Sequence, residues 1–91
     1  MIYMLCRTRT VDFARWKTVF DSHAEAHRNA GLRLVRLWRS VEEPDNVFFL
    51  FEADSIDRAR QFIDAPASAQ AGEDAGVIDG EYHFVEEAPG Y

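Results

Sequence analysis

Ninety-one residues make one small domain, with room for one core but not for separate cofactor and substrate domains. Hydrophobic residues are 47% and aromatics 13%, which excludes a disordered chain, and a net charge of −6 argues against nucleic-acid or anionic-membrane partners. Cys6 is the sole cysteine, so an internal disulfide and a cysteine-rich zinc site are excluded.

The apolar start Met1-Ile2-Tyr3-Met4-Leu5-Cys6 has no basic flank and is too short for a signal segment; a cytoplasmic chain with no membrane partner is expected. Ile2 to Thr8 reads as a strand, with Arg7 and Arg9 at its end. Thr10 suits a helix cap, Asp12 suits the first turn, and the helix runs to about Ala30, with Gly31 just past its end. Leu32 to Val41 alternates as a second strand, and Glu42-Glu43-Pro44-Asp45-Asn46 is a turn. Val47 to Ala53 is the most apolar strand, and Ser55 caps a second helix over Ile56 to Asp64. Pro66 interrupts it, Ala67 to Ala75 forms a short further helical piece ending at Gly76, and the last strand starts near Glu81.

The order β-α-β-β-α-β predicts an α+β fold: one ferredoxin-like domain over residues 1–91, with a four-stranded antiparallel sheet and helices on one face. Val47, Phe49 and Phe51 point to one side of the third strand, Phe48 and Leu50 to the other. Helices cover only one set, so a second copy of the chain is expected on the other, giving a homodimer of the dimeric α+β barrel type. Charge is uneven: residues 1–45 carry eight basic and six acidic side chains, and residues 46–91 carry two and ten. Arg33, Arg36 and Arg39 are therefore expected to meet a partner's Glu81, Glu86 or Glu87.

Quoted in chain order, Val11-Asp12-Phe13-Ala14-Arg15-Trp16-Lys17, Phe20-Asp21-Ser22-His23, Ala30-Gly31, Pro44-Asp45-Asn46-Val47, Leu50-Phe51-Glu52, Ala59-Arg60-Gln61-Phe62 and Ala75-Gly76-Val77 resemble small bacterial proteins of that superfamily. They are similar to the antibiotic-biosynthesis-monooxygenase-like group, whose members include uncharacterised proteins and cyclase-like ones. The resemblance implies the fold and a homodimer; an activity follows from it weakly, because this fold hosts oxygenases, isomerases, haem enzymes and non-enzymes. The Asn that haem-degrading relatives carry on the first strand has no counterpart between Ile2 and Arg9.

On the first helix, Trp16, Val19, Phe20, His23, Ala26 and His27 share one apolar arc, opposite Lys17, Asp21, Glu25 and Arg28. Both imidazoles therefore aim at the sheet, where each needs a hydrogen-bond partner or a polar cavity. One reading makes them core groups satisfied by backbone or by each other; another makes them pocket-lining, with His23 as a base and His27 beside it. The i, i+4 spacing also fits two metal ligands, but the third would have to be Glu52 or His83, and no metal is assigned. A symmetric turn pairs Val41 with Val47, which sets Arg36 opposite Glu52 and Trp38 opposite Leu50. Arg36, Trp38 and Glu52, with Trp16 and Phe20, are the expected substrate-binding residues; an ordinary cross-strand ion pair is the alternative for Arg36 and Glu52.

No dinucleotide fingerprint, phosphate loop or nucleophile elbow is present, and no cofactor is expected. Similarity to cofactor-free oxygenases then implies a monooxygenase or cyclase acting on an aromatic or polyketide-like compound between the first helix and the sheet. A non-catalytic dimer that binds a small ligand, and a structural dimer without a pocket, are the alternatives.

Overall fold

The apolar start of the chain becomes the sheet's central strand. β1 (Ile2–Thr10) pairs antiparallel with β3 (Asn46–Ala53) on one side and β4 (Val77–Val85) on the other, and β2 (Leu32–Arg39) flanks β3. The sheet order is β2-β3-β1-β4. α1 (Phe13–Ser22) and α2 (Ala24–Asn29) connect β1 to β2, and α3 (Ile56–Asp64) and α4 (Pro66–Ala75) connect β3 to β4. The computed structural model describes residues 1–90, and its order β-α-α-β-β-α-α-β is the ferredoxin-like α+β arrangement expected.

Several local signals act as read. Ser55 Oγ accepts from the Arg58 N–H at 3.3 Å and starts α3. Pro66 begins α4, where its missing N–H costs nothing. Gly76 ends α4 at φ 74°, and a Cβ there would lie 2.5 Å from Val11 Cγ2, so glycine is required twice over. The cap of α1, however, is Asp12, whose carboxylate accepts from the Arg15 N–H at 3.0 Å. Thr10 is instead the buried end of β1, where its hydroxyl donates to the Asp45 carbonyl at 3.0 Å.

The expected first helix is two helices. His23 sits between them at φ −99°, ψ 12°, closing α1 and opening α2. Ser22 Oγ bonds back to the Val19 carbonyl at 2.6 Å, competition with the backbone that bends a helix without Gly or Pro.

The β2–β3 register also departs from expectation. Arg33 faces Glu52 and Leu34 faces Phe51, but Arg36 faces Leu50 and Trp38 faces Phe48, with the slip between Leu34 and Arg36. Val35 is thus the extra residue of a bulge, which no turn symmetry reveals. The turn closes early, with the Ser40 N–H donating to the Asn46 carbonyl at 2.9 Å, and Val41 lies outside the strand. The bulge also separates Arg33 from Arg39: the Arg39 guanidinium lies 4.1 Å from the Phe13 ring centroid, on the helix side. β4 starts at Val77 rather than near Glu81. Gly80, within the strand, lies opposite Thr8, and a Cβ there would come 3.1 Å from the Arg7 carbonyl oxygen.

The helices cover the face that carries Val47, Phe49, Phe51 and Ala53, all buried with Met4, Cys6, Trp16, Leu32, Ala59 and Ala75. Leu5, Trp38, Phe48 and Leu50 occupy the other face, whose apolar side chains are partly exposed. The thinnest dimension is 18 Å, which one sheet and one helical layer fill. No helix among the described residues is long and apolar enough to cross a membrane.

Candidate functional site

Between the helices and the covered sheet face lies a cavity of about 380 Å³. That is within the range of small-molecule sites, about 300–1,000 Å³. Met4, Cys6, Phe49 and Phe51 form its floor, and Trp16, Val19 and Phe20 of α1 form one wall. Phe62 and Ile63 of α3 close another side. Neither Lys nor Arg lines it; Glu81 borders it along β4, but its carboxylate is on the outer face, where it accepts from Arg7 Nε at 2.8 Å and sits 2.8 Å from His83 Nε2. The hydrogen bonds from Arg7 first, then His83, hold the Glu81 carboxyl below its usual range.

His23 and His27 both line this space. His27 stands in an aromatic cage, its ring centroid 4.9 Å from that of Phe20, 5.1 Å from Phe51 and 5.5 Å from Phe62. Burial in that cage, then repulsion from His23, lowers its pKa to about 4, so the ring is neutral at pH 7. Trp16 stacks on Phe20 at 4.6 Å and reaches Phe49 at 5.5 Å, which fixes the wall between them. Neither imidazole hydrogen-bonds to another described protein group, yet no buried side-chain nitrogen or oxygen among the described residues is left unsatisfied. Both rings line the cavity, and their nitrogens are accessible rather than sealed in the core. That arrangement answers the reading in which the two rings satisfy each other or the backbone.

Of the expected site residues, the fold brings together His23, His27, Trp16 and Phe20. Arg36, Trp38 and Glu52 are elsewhere. Register sets Trp38 opposite Phe48, Arg36 opposite Leu50, and Glu52 opposite Arg33 and Tyr3, all on the sheet face turned away from the helices. The expected Arg36–Glu52 pair does not form. Glu52 accepts instead from Arg33 at 2.8 Å, and Asp54 takes the other arm of that guanidinium at 2.8 Å. Both shift the Arg33 pKa upward. His83, level with Leu5 on the same outer face, and Glu52 are thus on the wrong side of the sheet to join His23 and His27 around an ion.

Thr8, Phe62, Tyr82 and the inner face of α4 also line the cavity, and the sequence reading did not assign them to it. Strand alternation from Val77 would have sent Tyr82 to the other face; the irregularity that leaves Ile78 unpaired between Val77 and Asp79 brings Val77 and Tyr82 to the same side. Cys6 is on the floor, but burial pushes its thiol up to about 12, so it is inert as a nucleophile.

Neither a protein-family model nor a curated protein matches the chain. Solved structures do. A Bordetella bronchiseptica protein provisionally named an antibiotic biosynthesis monooxygenase superposes with a TM-score of 0.78 at 14% identity, covering 96% of each chain. The fold is that of the antibiotic biosynthesis monooxygenase-like proteins. A single-substitution variant of SnoaB, a cofactor-independent oxygenase from Streptomyces nogalater, gives 0.70 at 15% identity over 94% of this chain and 91% of that one. A nipsnap family protein of unknown function from Agrobacterium tumefaciens gives 0.73 at 14% identity over 100% and 91%.

Proposed function

We propose that the chain is a cofactor-independent oxygenase or cyclase acting on an uncharged aromatic or polyketide-like compound. The observation that carries this is a pair of imidazoles, without protein partners, on the wall of an otherwise apolar cavity. Polar groups that line an apolar cavity without a protein partner are free for a ligand to pair. The absence of Lys and Arg from the lining disfavours a phosphate or carboxylate ligand.

His23 is the proposed base, and His27, held neutral, accepts a hydrogen bond that orients the ligand. Trp16 and Phe20 supply the stacking surface. A phenol or enol O–H gives its proton to His23, and the electron-rich anion then reacts with dioxygen to form a carbon–oxygen bond. The proton returns from His23 to the peroxide oxygen. Loss of water from the resulting hydroperoxide leaves a carbonyl group, so dioxygen is the sole oxidant.

The outer sheet face supports a homodimer. Tyr3, Leu5, Trp38, Phe48 and Leu50 form an apolar strip there, flanked by the paired Arg33 and Arg7. The strand-two arginines do not act as one set toward the acidic partner residues expected, because Arg33 is already paired and Arg39 lies on the helix side. Arg36, which bonds just its neighbour's carbonyl, is the arginine proposed to reach the partner's acidic residues. A second copy should bury about 1,200–2,000 Å² in total.

The test is oxygen uptake and product analysis with a panel of polycyclic phenols. Dioxygen consumption matched by a new carbonyl product supports the proposal. Saturable binding without oxygen uptake assigns the chain to ligand binding without catalysis, and no binding removes both readings.

A further inference from the structure

Three helices present bulky side chains to the cavity, but α4 does not. Its inward positions are Ala67, Ser68, Ala71, Gly72 and Ala75, none larger than serine. An inward helix face ordinarily carries large apolar residues. Small ones are expected where backbones pack closely, and Ala75, which is buried, fits that explanation.

Gly72 does not fit it. It is in the helix interior, where glycine is disfavoured, and its φ is not in the left-handed region. A Cβ built on it would meet nothing closer than Val77 Cβ at 3.9 Å, an ordinary van der Waals contact. Neither backbone geometry nor packing asks for glycine here. What its missing side chain leaves is room on the cavity wall beside Val77, while Glu73 and Asp74 are on the exposed side of α4.

We infer that Gly72 sets ligand size: the space above it holds the far end of a ligand whose acidic group faces His23 and His27. This rests on the ligand-cavity reading above and adds to it the residue that decides how large an aromatic system is accepted. α4 is held for that task at both ends. Arg15 Nε donates to the Asp74 carbonyl at 2.9 Å and Arg15 Nη2 to that of Glu73 at 3.2 Å, tying the end of α4 to α1. Ser68 Oγ donates to the Phe62 carbonyl, tying its start to α3.

The experiment measures binding of two uncharged probes, 1-naphthol and the larger N-phenyl-1-naphthylamine, to the wild type, Gly72→Ala and Gly72→Leu, with a thermal midpoint for each. Gly72→Ala should melt no lower than the wild type, because the new Cβ has room and alanine favours the helix. Gly72→Leu should weaken N-phenyl-1-naphthylamine by about tenfold or more, as one filled pocket position does, while 1-naphthol stays close to its wild-type affinity. Equal affinity of both probes for the wild type and a folded Gly72→Leu overturns the inference and leaves the ligand-cavity reading standing. So does a Gly72→Ala variant that melts clearly lower, because glycine would then be a packing requirement. Failure of the wild type to bind either probe overturns the ligand-cavity reading and this inference together.

Discussion

The two faces of one sheet treat their polar groups in opposite ways. On the outer face the charges, Arg36 excepted, are matched within the chain: Arg7 with Asp79 and Glu81, Arg9 with Asp79, and Arg33 with Glu52 and Asp54. On the covered face the polar groups in the cavity include two imidazoles with no described protein partner, set among phenylalanines. Matched charges around an apolar strip suit a surface that meets another protein surface. Unmatched acceptors inside an apolar cavity suit a ligand that brings its own donor.

The sharpest contrast between the faces is Phe51→Ala against Phe48→Ala. Phe51 is 2% exposed and packs on Phe20, Phe49 and His27, so its loss should cost about 3–5 kcal/mol in urea unfolding, independent of protein concentration. Phe48 lies on the outer face, and its cost should grow with concentration as dimer formation contributes to stability. Equal, concentration-independent costs would erase the distinction. Next in size, Leu50→Asp should convert a dimer to a species of single-chain mass in sedimentation while cavity binding of 1-naphthol persists. Retention of the dimer would put the interface elsewhere.

Much of this architecture is legible in the sequence because it rests on local rules. Alternation places Val47, Phe49 and Phe51 on one side, Ser55 and Gly76 mark helix ends, and the apolar arc of Trp16, Phe20, His23 and His27 survives the break at His23. What escapes is set by single-residue irregularities. Bulging at Val35 moves Arg36 away from Glu52 and breaks that expected pair, whereas Arg36, Trp38 and Glu52 leave the site as a group because they share the face of Leu50, opposite Phe49 and Phe51. Ser22's bond back to Val19 carries no sequence mark as strong as Gly or Pro. The cavity-facing side of α4 escapes for another reason: small residues are read as packing or propensity, and whether a Cβ has room above Gly72 is a question for coordinates.

A pH series should separate the faces more gently. His27 titrates near 4 in the folded chain against about 6.5 when unfolded, so the unfolded state binds the extra proton between those values. The stability it contributes is full above about pH 6.5 and is lost as pH falls through about 4. Thermal midpoints from pH 7 to 4 should fall in the wild type, and His27→Gln should flatten that slope; an unchanged slope would show that the ring is not buried as described. The smallest effect belongs to the outer rim. Arg33→Gln should shift the midpoint by no more than the little that exposed ion pairs contribute, and added salt should abolish the difference.

The account's central claim is that the cavity-facing imidazoles serve a ligand rather than the core, and His23→Gln tests it most directly. The amide keeps hydrogen-bonding capacity but cannot take a proton near pH 7. With thermal midpoint and oxygen uptake measured on the same preparation, the account predicts a midpoint within a few degrees of wild type, about 1 kcal/mol for a domain this size. It predicts turnover lower by about 10²-fold or more. Undiminished turnover in the folded variant, or a large loss of stability with ligand affinity unaltered, would contradict it.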